Sequence, residues 1–415
     1  MVEQITLNNG VRILTEPVAG VRSASLGIWV GTGSRHETAA ENGAAHFIEH
    51  MLFKGTGTRT AAGIAQEMDA IGAQVNAFTT KENTCFYVRA LDTHLPQAVD
   101  VLCDMFFHSA FRQEDVDTER GVILEEIGMY ADNPEDICSE RLAAAVYKGS
   151  SLARPILGKA STLKNLTGDV LRSWRNDHYL PGETVVSLAG SFSDAVVEDL
   201  KCRFSAIQPK ARSRGKPAAY RSAITLKRKA IEQNHVTLAF PGLPYGDDRR
   251  FALQLLSFVL GGGMSSRLWQ EVRETRGLCY SIYSYGAGHE DTGLFGIYTA
   301  LSRETEQQAL DAIVSVLKSL VQDGITEEEL SRAREQSKAG VLMGLESTQS
   351  RMSHLGRSTL LTGKVLSPDE IISAYDAVTR EDVLSVARSI FDFGQSSVSA
   401  VGRVKNEDYY RSIFV

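Results

Sequence analysis

Apolar positions recur along the chain in two spacings, and the same succession of spacings occurs twice. The opening segment MVEQITLNNGVRIL alternates around Asn8-Asn9-Gly10 and predicts strand, turn, strand. ASLGIWVGTGSRHE predicts a further strand, and ENGAAHFIEHMLFKGTGT after it predicts a helix. GAQVNAFTTKENTCFYVRAL then reads as two strands joined by a turn. PQAVDVLCDMFF follows with helical spacing, and FRQEDVDTERGVILEEI has an acidic helix start.

The second half repeats this order. HVTLAFPGLPYGDDR predicts a strand, FALQLLSFVLGGGMSSRL a helix, and GLCYSIYSYGAGHEDTGLFGIYTAL a strand pair. EQQALDAIVSVLKSLV and ITEEELSRAREQSKAGVLM close the series as helices, with Thr326 and Glu329 spaced as a capping box. Between the halves, Ile207 to Ser222 is basic, carries two prolines and lacks periodicity, as a linker does. The expected fold is α+β, with two homologous domains, each an antiparallel sheet with helices packed on one face. The expected limits are 1–210, a linker over 211–222, and 223–415.

Composition narrows the classes of function. The chain has 415 residues, 43% hydrophobic and 23% charged, which is globular composition. A formal net charge of −7 offers no basic excess for phosphates, so nucleic acid is not an expected partner. No apolar run approaches the roughly 20 residues of a membrane span, and the start carries no basic and apolar leader. The five cysteines are scattered and form no CxxC pair, as in a reducing compartment. These features point to the cytoplasm.

The chemistry concentrates at HFIEH. His46 and His50 lie one turn apart on a helix and can bind one Zn²⁺ through two imidazoles. Glu49 sits beside them as a base for a water that zinc activates. The competing reading is an exposed polar helix face. Against it, Ala44, Ala45, Phe47, Ile48, Met51 and Leu52 make the rest of the helix apolar, and ionisable groups in such surroundings need partners. Glu119 and Glu126 are seven residues apart and share a helix face. One could complete the ligand set while the other supports a ligating histidine.

HFIEH, followed seventy-six residues after His50 by the last glutamate of an ER-x-VI-x-E-E pattern, resembles the pitrilysin-type (inverzincin) zinc metallopeptidases. Within them it is similar to the mitochondrial processing peptidase β subunit and its bacterial homologues. The resemblance covers essentially the whole chain. It implies a zinc-dependent endopeptidase that hydrolyses extended or unfolded peptides in an enclosed chamber, holding one Zn²⁺ per chain. His46, His50 and Glu126 would be the metal ligands, Glu49 the general base and Glu119 the supporting carboxylate. Asn76, Ala77 and Phe78 would pair with the substrate backbone by strand addition. Arg273 and Tyr280 match a family pair that holds substrate or stabilises the oxyanion. Gly261-Gly262-Gly263 loosely matches a glycine-rich loop of the family's partner subunit.

The second copy places Leu253, Leu256 and Ser257 opposite His46, Glu49 and His50, and Leu345 opposite Glu126. It would bind no metal and would serve substrate binding and assembly. The family's longest members hold four such domains in one chain. Two domains here imply a homodimer, in which the C-terminal half of one chain completes the site of the other. The alternatives are a non-catalytic core or partner subunit of the same fold and a metal hydrolase of non-peptide substrates.

Overall fold

A computed structural model describes residues 2–208, 210 and 215–413 of the protein. Residues 211–214 of the expected linker lie outside these, and 215–223 carries no regular secondary structure.

The first half forms β1 (Glu3–Thr6), β2 (Arg12–Pro17), β3 (Ser23–Val30), β4 (Gln74–Thr79), β5 (Thr84–Leu91) and β6 (Thr184–Gly190). They make one sheet in the order β1-β2-β6-β3-β5-β4. The second half forms β7 (Ile224–Arg228), β8 (Asn234–Pro241), β9 (Cys279–Gly288), β10 (Gly293–Leu301) and β11 (Ser397–Gly402), ordered β7-β11-β8-β10-β9. Without β1 the two orders are the same. Each sheet contains one parallel pair, β2 with β6 and β7 with β11, and is otherwise antiparallel. The duplication expected from the apolar pattern is therefore a duplication of topology, and β4 and β9 are corresponding edge strands.

Helices cover one face of each sheet. In the first, Leu26, Ile28, Phe86, Val88, Val186 and Leu188 pack against the helices Ala44–Leu52 and Leu95–His108. In the second, Val236, Leu238, Phe295 and Ile297 pack against Arg250–Gly261 and Glu306–Asp323. The opposite faces are apolar too, and each receives one helix from the other half of the sequence. Met352 and Leu355, on the helix Thr348–Thr362, pack on Leu14, Trp29, Cys85 and Val185. Leu142 and Val146, on the helix Pro134–Val146, pack near Ala239 and Leu294 of the second sheet. Tyr283 donates to Glu135 at 2.5 Å, and Cys138 Sγ to the Ser399 carbonyl at 3.1 Å, on that same face.

This exchange makes the compact units run across the linear division at 211–222. One compact unit comprises Met1–Ile127, Arg154–Lys216 and Met343–Val365; the other comprises Gly128–Ala153, Pro217–Leu342 and Leu366–Val415. The physical reason is that a sheet with two apolar faces needs two covers, whereas the residues next to it in sequence supply one.

The approach of the Thr348–Thr362 helix depends on a missing side chain. A Cβ at Gly356 would stand 2.1 Å from Trp29 Nε1, the atom that donates to Ser187 Oγ at 3.0 Å.

The start of the Ala44–Leu52 helix is also built from outside. Gly43, its N-cap, has φ of 103° and no side chain to accept from the first turn. Glu37 takes that role: its buried carboxylate accepts from Gly43 N, Ala45 N and Asn42 Nδ2, each at 2.9 Å. Arg154 donates to the Glu37 carbonyl oxygen. Burial is the largest influence on this carboxyl and pushes it up from 4.5 to about 7, against the pull of its three hydrogen bonds and Arg154.

Two outcomes are expected. Gly356→Ala destabilises the fold by about 1–3 kcal/mol through overpacking on Trp29, measured by denaturant unfolding. Glu37 has a folded pKa above its unfolded one, so the stability it contributes is full below pH 4.5 and is lost as pH rises through 7. Relative to Glu37→Gln, the wild type should lose about 3 kcal/mol between pH 4 and 8. Parallel unfolding free energies for the two proteins across that range would contradict this.

Candidate metal centre

Local sequence explains how HFIEH reaches its position. The apolar residues of the Ala44–Leu52 helix bury it under the first sheet, while His46, Glu49 and His50 emerge toward β4 and the long helix Gln113–Asp132. His46, His50 and Glu126 then meet: one donor atom from each lies within 4.8 Å of the others. Glu126 Oε2 is 3.6 Å from His46 Nε2 and 3.7 Å from His50 Nε2. The two imidazole rings stand edge to face with centroids 4.7 Å apart.

These spacings test the fit to zinc. They are too long for hydrogen bonds, yet match the about 3.4 Å between ligand atoms placed tetrahedrally around zinc at its usual bond lengths. The donor set of two imidazoles and one carboxylate is that of a hydrolytic zinc site. His46 is in the right form for it. Burial, reinforced by the neighbouring His50, pushes its imidazole down to about 3, so it is neutral with a lone pair to share. The residues present fit the ion.

Around these three stand the groups that orient them. Glu119 is buried, with one carboxylate oxygen 3.0 Å from His50 Nδ1 and the other paired with Lys54. Glu49 accepts a 2.6 Å hydrogen bond from Thr79 Oγ1. Burial pushes the Glu49 carboxyl up; the Thr79 bond and His50 pull it back, and Glu126 adds a smaller upward push. A raised carboxyl is closer to the range in which a general base works.

Among the described residues, β4 pairs only with β5, which leaves its outer side open. Ala77 packs on the helical side, while Asn76 and Phe78 are exposed. The Phe78 ring lies 5.5 Å from Trp29, on the opposite face. Asn76 and Phe78 therefore turn their side chains away from the metal helix, and what they offer on that side is backbone. Thr79, two residues after Ala77, shares its direction.

Arg273 and Tyr280 belong to the second compact unit, and the histidines belong to the first. The Arg273 guanidinium stands 3.8 Å from the centroid of Trp269 and 5.0 Å from that of Tyr280, which is 72% exposed. At the corresponding place in the second copy, the helix Arg250–Gly261 meets its edge strand through Ser257 and Ser284, with hydroxyls 3.0 Å apart. Leucines and a serine stand where the first copy has its histidines and base.

Sequence reasoning missed Thr79, Lys54 and Glu37. The alternation of β4 carries a signal for Thr79, and the four-residue spacing from His50 carries one for Lys54. Glu37 has none, because its hydrogen bonds reach across a turn.

Among the described residues, no helix is long and apolar enough to cross a membrane. Comparisons with known proteins agree with the geometry. Residues 12–160 match the family described as insulinase (peptidase family M16), and residues 165–337 match the peptidase M16 inactive domain. The chain is 45% identical over 408 residues to an uncharacterized zinc protease of Bacillus subtilis, covering 97% of this chain and 100% of that one. It is 42% identical over 420 residues to another of Streptomyces coelicolor, covering 99% and 91%. Among solved structures, a peptidase M16 inactive domain from Pseudomonas fluorescens superposes with a TM-score of 0.90 at 22% identity, over 97% of this chain and 98% of that one. A protease from Helicobacter pylori gives 0.89 at 21%, over 97% and 99%. With both halves matched and close relatives covered along their length, the chain belongs to peptidase family M16.

Proposed function

We propose that the protein is a zinc metalloendopeptidase that cuts extended or unfolded peptides in an enclosed chamber. The observation that carries this reading is the meeting of His46, His50 and Glu126 in one unit, with Glu49 beside them. Relatives named as zinc proteases support the class of reaction.

In this reading His46, His50 and Glu126 hold one zinc ion per chain. When bound, zinc supplies Lewis acidity that polarises a peptide carbonyl and eases proton loss from water. Glu49 accepts the water proton and passes it to the leaving amine. Thr79 keeps the Glu49 carboxylate aimed while it does so, and Glu119 orients His50. The open side of β4, at Asn76, Ala77 and Phe78, lines up the peptide backbone by strand addition. That requirement selects extended chains, because a helix or a compact fold cannot present unpaired backbone groups to an edge. Arg273 and Tyr280 hold the substrate or stabilise the oxyanion.

The second half, which matches an inactive domain, has leucines and a serine where the first has ligands and base. Its work is binding and assembly, and a homodimer in which it completes the partner's site accounts for a chain of two domains. The five cysteines are free, which suits a reducing cytoplasm.

Two experiments test the reading. Glu49→Gln should retain the zinc content of the wild type and lower kcat on unfolded peptide substrates by about 10²- to 10⁴-fold. Wild-type turnover in that variant would exclude Glu49 as the base. Mixing Glu49→Gln chains with Arg273→Ala chains should restore part of the activity that each lacks alone. A mixed dimer without recovery would remove the role of Arg273 across chains.

A further inference from the structure

Glu119 is too well buried to stand beside one histidine unaided. Its side chain is 5% exposed, and a carboxylate removed so far from water needs a partner for each oxygen. One oxygen faces His50 Nδ1 at 3.0 Å, and the other faces the Lys54 ammonium. Among the described residues, Lys54 is the one cationic side chain paired with Glu119.

Lys54 reaches this place through the end of the metal helix. The helix closes at Leu52, but the next turn continues far enough for Lys54 N to donate to the Met51 carbonyl at 3.1 Å. Lys54 therefore stays on the His50 side, four residues on. Its side chain is 33% exposed, so the stem lies along the protein while the ammonium turns in toward Glu119.

We propose that Lys54 is a positioning residue of the metal centre that acts through Glu119 on His50; this rests on the zinc reading above. With one oxygen held by Lys54, the carboxylate cannot turn about its own axis, and its second oxygen stays in line with His50 Nδ1. Donation from Nδ1 leaves the Nε2 lone pair of His50 directed at the ligand cluster, 3.7 Å from Glu126 Oε2. Without the ammonium, one Glu119 oxygen is buried unpaired, and the carboxylate is free to leave His50. The relay runs Lys54 to Glu119 to His50, and its output is the geometry of a ligand.

The test reads zinc affinity in the absence of substrate. Metal-free protein is titrated with Zn²⁺ against a competing chelator, for wild type, Lys54→Met, Lys54→Arg, Glu119→Gln and the Lys54→Met/Glu119→Gln double variant. Lys54→Met should bind zinc about 10-fold more weakly, within the range for outer partners of metal ligands. Lys54→Arg should stay close to wild type, and the double variant should bind no more weakly than Glu119→Gln alone. The melting temperature of each metal-free variant, measured in parallel, separates a change in affinity from a loss of fold. Lys54→Met with wild-type affinity overturns the proposal, as does a Lys54→Met effect that persists in full in the Glu119→Gln background. A wild-type protein that binds no zinc overturns the metal reading itself, and Lys54 with it.

Discussion

A helix nine residues long carries His46, Glu49 and His50 into an otherwise apolar layer, and the surrounding structure has to compensate each of them. The costs of leaving such groups unpaired are several kcal/mol each, comparable to the whole stability of a domain. Every distinctive contact near the site follows from that constraint. Glu126 approaches both imidazoles, Thr79 donates to Glu49, Glu119 accepts from His50, and Lys54 pairs with Glu119. Glu37 adds the last piece by holding the helix start, so the ionisable face is fixed in rotation as well as in position.

The duplicated topology gives this arrangement an internal control. Both halves place an apolar helix between a central strand and an edge strand, in the same strand order. The second copy fills its helix face with leucines and a serine, and its edge strand is met by one serine pair. The scaffold thus folds without the two histidines and two glutamates of the metal centre at that place. The polar cluster of the first copy is an addition that the fold tolerates because it is paired, which separates the requirements of the fold from those of the chemistry.

The exchange of two helices has a different origin. Trp29, Cys85 and Val185 make the far face of the first sheet as apolar as its near face, and Ala239 and Leu294 do the same for the second. Each face is covered by a helix drawn from the other half of the chain. One consequence concerns Glu126: it stands one residue before the point where its helix passes from one compact unit to the other.

Much of this was legible in the sequence, because it rests on local spacing. Alternation and helical period identify the strands, the metal helix and the repeat. The i, i+4 histidines in an apolar helix mark the site, and seven-residue spacing puts Glu119 and Glu126 on one face. Spacing alone left open which glutamate joins the cluster, and family resemblance assigned it to Glu126; in the structure Glu126 lies 3.6 and 3.7 Å from the two Nε2 atoms, while Glu119 faces Nδ1 of His50. The helix exchange, the Glu37 cap, the Thr79 bond and the Lys54 pair could not be read in this way. Each joins residues that are remote in the chain or whose type is ordinary at its position. Period and composition determine which face of an element is buried, but a buried carboxylate or an apolar sheet face is satisfied by whatever the folded chain brings within a few ångströms, and only the tertiary structure decides that.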